Sequence, residues 1–143
     1  MSSSADEALL AAFPGAPIDH DTKAYYRGLL ARTLLINRCQ DCGTWHFPPR
    51  PVCASCWSRR VVATEVSGRG VIHLLMVLHQ GPGIDPQTPQ PVATVELEEQ
   101  PGLRVSTTIV NASREELHIG MPVELTWIED GGHPSPAFQP VRR

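Results

Sequence analysis

Two short cysteine pairs, Cys39-Gln-Asp-Cys42-Gly43 and Cys53-Ala-Ser-Cys56, stand ten residues apart and constrain this chain more than any other feature. A C-x-x-C turn presents two sulfurs to one side of a tetrahedron, and a second turn supplies the other side, which is what zinc requires of a closed structural site. With four thiolates in place no position is left for a catalytic water, so Cys39, Cys42, Cys53 and Cys56 are the expected ligands of a structural Zn2+. A redox pair wants a helix start within a βαβ unit, whereas these two pairs lie among prolines with no parallel-strand pattern. Four unrelated buried thiols are the blander alternative. Metal binding is worth about 10 to 16 kcal/mol in zinc-finger peptides, which compensates for a module with very little core. Trp45, Phe47 and Trp57 lie beside the ligands and are expected to pack that module, an aromatic contact surface being the alternative. His46 is a spare donor, because four cysteines already suffice.

Outside this module the chain reads as mainly β. Fourteen prolines and eleven glycines in 143 residues suit short strands and turns better than a helix bundle. Ser4 with Glu7 three residues later fits a capping box ahead of a short first helix. Asp21 or Thr22 can cap a second, in which Tyr25, Tyr26, Leu29 and Leu30 form one apolar stripe ending near Arg32. Leu34 to Ile36 is a strand-like lead into the cysteines. Strands are expected at Val61 to Val66, Val71 to His79, Val92 to Glu98, Leu103 to Val110 and Val123 to Ile128, with Ala93, Val95 and Leu97 on one face of the third. Glu99 to Gly102 is a hairpin turn, Gly81 to Pro91 a long loop, and Ser113 with Glu116 a second capping box. Five strands and one short helix make a barrel, and a sandwich fits the same pattern. The expected divisions are residues 1–32 (helical segment), 33–60 (zinc ribbon), 61–130 (barrel) and 131–143 (extended tail).

Charge is unevenly distributed. Residues 23–60 carry seven bases against Asp41 alone, whereas residues 61–130 carry ten acids against Arg69, Arg104 and Arg114; Arg142 and Arg143 close the tail. The basic middle suits a phosphate-bearing ligand or an acidic partner, or is ordinary solvated surface. No stretch of about 18 apolar residues occurs, so no membrane span is expected, and the N-terminus lacks a cationic leader, which points to the cytoplasm.

The histidines fit neither H-E-x-x-H nor any nucleophile pattern, and Gly68-Arg69-Gly70 and GPGIDP lack the Lys-Ser/Thr of a phosphate loop. The chain is therefore not expected to be an enzyme by itself; a stand-alone hydrolase or redox protein is a third class. Single-stranded nucleic acid is the main alternative ligand, since zinc ribbons and small barrels both bind it. Against it, the barrel segment offers Trp127 as its one non-histidine aromatic and a net charge that repels phosphates.

Taken in order, Tyr25-Tyr26, Cys39-x-x-Cys42-Gly43, Phe47-Pro48-Pro49-Arg50, Cys53-x-x-Cys56, Ser67-Gly68-Arg69-Gly70, Pro91-Val-Ala-Thr-Val-Glu96 and Gly120-Met-Pro-Val-Glu124 resemble the acyl-CoA-associated zinc-ribbon plus OB-fold family, long known as a domain of unknown function. The resemblance spans about residues 20 to 130. It implies a rubredoxin-like zinc ribbon followed by a five-stranded OB-fold barrel with one short helix. It further implies a non-catalytic accessory subunit of a thiolase or lipid-transfer-protein-like aldolase, acting on acyl-CoA in steroid side-chain or fatty-acyl degradation. The partner would be that enzyme subunit in a hetero-oligomer, with the CoA thioester bound at their interface. Arg50, Arg69 and Arg104 are candidates to meet CoA phosphates. The chain departs from the family pattern at Ala54, where Pro is usual, at Trp57, where Gly is usual, and in having two tyrosines for the helix pair Phe-Trp.

Overall fold

The computed structural model describes residues 4–142, so Arg143 lies outside the described residues. The chain divides into two compact units. One holds the chain up to Val66 together with Ile128–Ser135, and the other holds Ser67–Trp127 and the chain from Pro136 onward.

In the first unit, helix α1 (Ser4–Ala12) and helix α2 (Lys23–Leu30) precede a three-stranded antiparallel sheet. Asp6 of α1 accepts from Lys23 at 3.2 Å and also from Arg27, both on α2. Thr22 stands at the N-cap of α2, as expected, but its side chain makes no capping bond into the helix, and the polar contacts ahead of the first turn centre on Asp19. Its carboxylate accepts the Asp21 and Thr22 amides at 2.9 Å each, while the Thr22 hydroxyl accepts the Asp19 amide at 2.9 Å. This reciprocal pair fixes the turn that leads into the helix, and the Thr22 amide above all holds the Asp19 carboxyl below its ordinary range. The helix closes with Thr33 donating to the Gly28 carbonyl and Arg32 to Leu29, Arg32 taking a left-handed φ of 54°, a Schellman ending.

Gly28 stands where that ending folds back. A Cβ there would lie 2.7 Å from the Thr33 carbonyl oxygen and 3.1 Å from the Leu35 side chain. Alanine normally stabilises a helix interior by about 1 kcal/mol over glycine, but here the clash is with backbone that cannot step aside. Gly28→Ala is therefore expected to destabilise by about 1 to 3 kcal/mol, the range of overpacked sites. A raised melting temperature would show that the turn has room.

Strand β1 (Leu35–Cys39) is the centre of the first sheet, between β2 (Trp45–His46) and β3 (Val61–Glu65). Here the structure corrects an expectation. Residues 61 to 65 do not open the barrel; they pair with β1 along its whole length, from Leu35 opposite Glu65 to Cys39 opposite Val61. The second cysteine turn reverses the chain, and Gln40 donating to the Arg60 carbonyl at 2.8 Å returns it beside the strand that led into the first turn.

The second unit is built on a five-stranded sheet in the order β6-β5-β4-β7-β8, formed by β4 (Arg69–Leu78), β5 (Gln90–Leu97), β6 (Arg104–Thr108), β7 (Pro122–Asp130) and β8 (His133–Pro140), the β7–β8 turn with its flanking residues 128–135 being counted in the first unit. Ala93, Val95 and Leu97 of β5 are fully buried, as the alternation predicts. The Ser113–Glu116 capping box is formed, around a single 3-10 turn (Arg114–Glu116). The tail expected to be merely extended is the fifth strand. Phe138 bridges Ile109 in parallel and Val110 donates to its carbonyl at 2.9 Å, which nearly closes the barrel. Proline is tolerated here because β8 is an edge of the sheet, and Ala137 and Phe138 fill the core at 0% and 1% exposure.

Candidate metal centre

The two cysteine turns have the same local geometry. The Cys39 amide donates to the Thr44 carbonyl and the Gly43 amide to that of Cys39, at 2.9 and 3.0 Å; the Cys53 amide donates to Ser58 and the Trp57 amide to Cys53, both at 2.9 Å. Each turn aims an amide at its first sulfur, Cys42 N–H toward Cys39 Sγ at 3.5 Å and Ser55 N–H toward Cys53 Sγ at 3.4 Å. The first cysteine of each pair is buried and the second exposed. Asp41 ties the two turns together, accepting from the Ser58 hydroxyl and from Arg60 at 2.5 Å.

All four sulfurs lie within 4.8 Å of one another, with Cys39 to Cys56 at 3.6 Å and Cys42 to Cys53 at 3.5 Å. A tetrahedral tetrathiolate with Zn–S near 2.3 Å has sulfur–sulfur edges of about 3.8 Å, whereas a disulfide needs about 2.05 Å. The residues therefore fit a zinc ion and not a crosslink. Their titration agrees. The Thr44 hydroxyl, followed by its amide, brings Cys42 down to about 6. Cys56 has the Ser58 amide favouring its thiolate, yet desolvation and the three other sulfurs push it up to about 12. Four negative sulfurs so close cannot all ionise alone, and a divalent cation removes that conflict.

His46 joins this site, with Nε2 3.1 Å from Cys53 Sγ. Burial, and after it the charge of Arg50, lowers its pKa, so it is suited to donate to a thiolate as neutral imidazole. Trp45 packs as expected, 9% exposed with the Arg38 guanidinium 5.1 Å over its ring. Phe47 stacks on Tyr25 at 5.6 Å. Trp57 does not pack: it is 82% exposed and holds the left-handed position, φ 65°, that Gly43 occupies in the other turn. A bulky residue there costs about 1 to 2 kcal/mol. With so little burial to lose, Trp57→Gly is expected to stabilise the zinc-loaded chain by about 1 kcal/mol, read as a higher denaturation midpoint. An unchanged or lower midpoint would mean that Trp57 makes contacts its exposure does not show.

The three arginine candidates fall in different units. Arg69 grips Glu98 with two hydrogen bonds, at 2.6 and 3.1 Å, and Arg104 pairs with Glu96 at 3.3 Å, both in the barrel unit. Each is already neutralised by a carboxylate. Arg50 belongs to the other unit, on a cavity beside Arg59.

These features define a class: a zinc-ribbon module joined to an OB-fold barrel. The family model described as "ChsH2, rubredoxin-like zinc ribbon domain" matches residues 27–62, and "ChsH2, C-terminal OB-fold domain" matches residues 63–127. A DUF35 domain-containing scaffold protein of Methanocaldococcus jannaschii is 38% identical over 103 residues, covering 69% of this chain and 71% of the relative. The chain belongs to this DUF35, or ChsH2-type, zinc-ribbon plus OB-fold family. A probable enoyl-CoA hydratase alpha subunit of Thermomonospora curvata is 35% identical over 129 residues, and the chain spans 40% of that relative's length. A solved chain titled "Ltp2-ChsH2(DUF35) aldolase" superposes with a TM-score of 0.78 at 35% identity, covering 87% of this chain and 98% of that one.

Proposed function

We propose that this chain is a non-catalytic accessory subunit of an acyl-CoA-processing enzyme, with the bond-making residues on a thiolase-like or lipid-transfer-protein-like partner. The observation that carries the reading is a metal site whose four positions are all filled by thiolates, in a chain similar over nearly the whole of a solved chain from an assembly named as an aldolase. Zinc held by Cys39, Cys42, Cys53 and Cys56 would supply structure only, locking the two turns and the sheet between them. The chain's own residues hold that frame: Asp41 couples the turns, the His46 ring lies against Cys53 Sγ and the Thr44 hydroxyl against Cys42 Sγ, both at 3.1 Å. Two similar proteins bear the names of CoA-thioester hydratase alpha subunits, one of them acting on a steroid acid thioester by its printed name. These names support an acyl-CoA of fatty or steroid type as the substrate of the complex.

The test is co-expression with the thiolase-like proteins of the same genome. One of them should co-elute in fixed stoichiometry, and acyl-CoA turnover should rise on mixing. A chain that turns over acyl-CoA by itself, or that is retained by single-stranded nucleic acid in a salt-sensitive way without a protein partner, would overturn the reading.

A further inference from the structure

We infer that a small polar cavity in the first unit, floored by Asn37 and flanked by Arg50, Arg59 and His20, seats a phosphate group of the nucleotide end of an acyl-CoA. The inference rests on the accessory-subunit reading above and gives it a binding site. Most arginines of the protein are already engaged: Arg27, Arg32, Arg60, Arg69, Arg104 and Arg142 have carboxylate partners, and Arg38 donates to Gly43 and covers Trp45. Among the described arginines, Arg50, Arg59 and Arg114 have no such partner, and two of these three face one cavity of about 220 Å³.

Asn37 is the second, independent observation. It lies in the middle of β1 between His46 and Ala63, only 8% exposed, the one buried polar residue of the described chain. Its side-chain amide has no hydrogen-bond partner among the described residues. Yet no described side-chain nitrogen or oxygen is both fully occluded and unpaired, so the amide is not sealed off, and the residue lines the cavity. A strand centre facing its helix is where an apolar residue would ordinarily pack, and leaving a polar group unpaired there is costly. Water can satisfy an amide, but water gives no reason for two unpaired guanidinium groups beside it. A tetrahedral anion uses both features, since arginine forks and an amide N–H2 converge on several acceptor oxygens. Asp21 is the one carboxylate on the lining and forms no ion pair with either arginine, so the cavity stays net positive.

The experiment is calorimetric titration of the zinc-loaded full chain with CoA, 3′-dephospho-CoA, pantetheine and inorganic phosphate. Arg50→Gln and Arg59→Gln should each weaken CoA binding about tenfold, the worth of one charge-assisted hydrogen bond. Asn37→Asp, nearly isosteric but anionic, should weaken it further, and Arg69→Gln should leave it unchanged. Pantetheine should not bind, and 3′-dephospho-CoA shows which phosphate is seated. The inference falls if CoA does not bind, if the arginine variants bind it as the parent does, or if inorganic phosphate binds as tightly as CoA, which marks an adventitious ion only. It also falls if these variants lose the protein partner while keeping CoA, which assigns the cavity to a partner carboxylate. If CoA binding fails while partner assembly persists, the cavity is refuted and the accessory-subunit reading survives.

Discussion

Cys39→Ser and Cys53→Ser are each expected to leave a chain that retains almost no zinc and has lost cooperative folding of its first unit. Both sulfurs are 1% exposed and sit at the start of their turns. Cys39 Sγ receives the Cys42 amide, and Cys53 Sγ receives the Ser55 amide and lies 3.1 Å from His46 Nε2. A hydroxyl is a poor zinc ligand and too short to reach the same centre, so the remaining three thiolates would be left crowded around a vacant corner. The metal contribution in comparable peptides is about 10 to 16 kcal/mol, as large as the whole stability of an ordinary domain at about 5 to 15 kcal/mol. Metal analysis should fall from one zinc per chain to near zero, and a strong chelator should reproduce the loss in the parent protein. A chain that keeps its melting transition in excess chelator would show that the sheet stands without the ion.

Phe138→Ala is the second large effect, and it tests a part of the molecule that composition alone marks as a tail. Phe138 is 1% exposed and among the largest fully buried side chains, next to Ala137 at 0%. Removing a buried phenyl costs about 3 to 5 kcal/mol, the lost transfer energy plus the cavity left behind. The Ile109 bridge and the Val110 hydrogen bond lie at the same residue, so a shift of β8 would loosen the barrel's closure as well. Urea unfolding should show a much lower midpoint, and deletion of the chain from His133 onward should abolish the barrel's cooperative transition. A midpoint within error of the parent would mean that the four other strands carry the core alone.

The metal cluster was legible because its chemistry is local: two C-x-x-C turns bring four sulfurs together almost regardless of the rest. The second unit's alternation was legible for a similar reason, since Ala93, Val95 and Leu97 repeat with the period of a half-buried strand. What escaped depends on pairing between distant segments. Nothing in Val61-Val-Ala-Thr-Glu65 says whether β1 or β4 will be its neighbour. His133-Pro-Ser-Pro hides a strand because proline argues against a central position and is silent about an edge. A readable signal did exist, in Asp130-Gly131-Gly132: both glycines take positive φ, 61° and 86°, as a two-residue hairpin turn requires. The arginine candidates were chosen by charge, and charge alone cannot show that Arg69 and Arg104 face their own glutamates across neighbouring strands. Asn37 carried no motif at all; only its burial singles it out.

The order of the strands along the chain has a consequence for synthesis. The zinc module is contiguous in its cysteines and can assemble as soon as Cys56 and β3 have left the ribosome. The barrel cannot, because β8 is the last of its five strands to be made and Phe138 is the plug of its core. Until then the four earlier strands wait with the Ile109–Val110 margin unpaired, in the form most open to capture by another nascent polypeptide or by a chaperone.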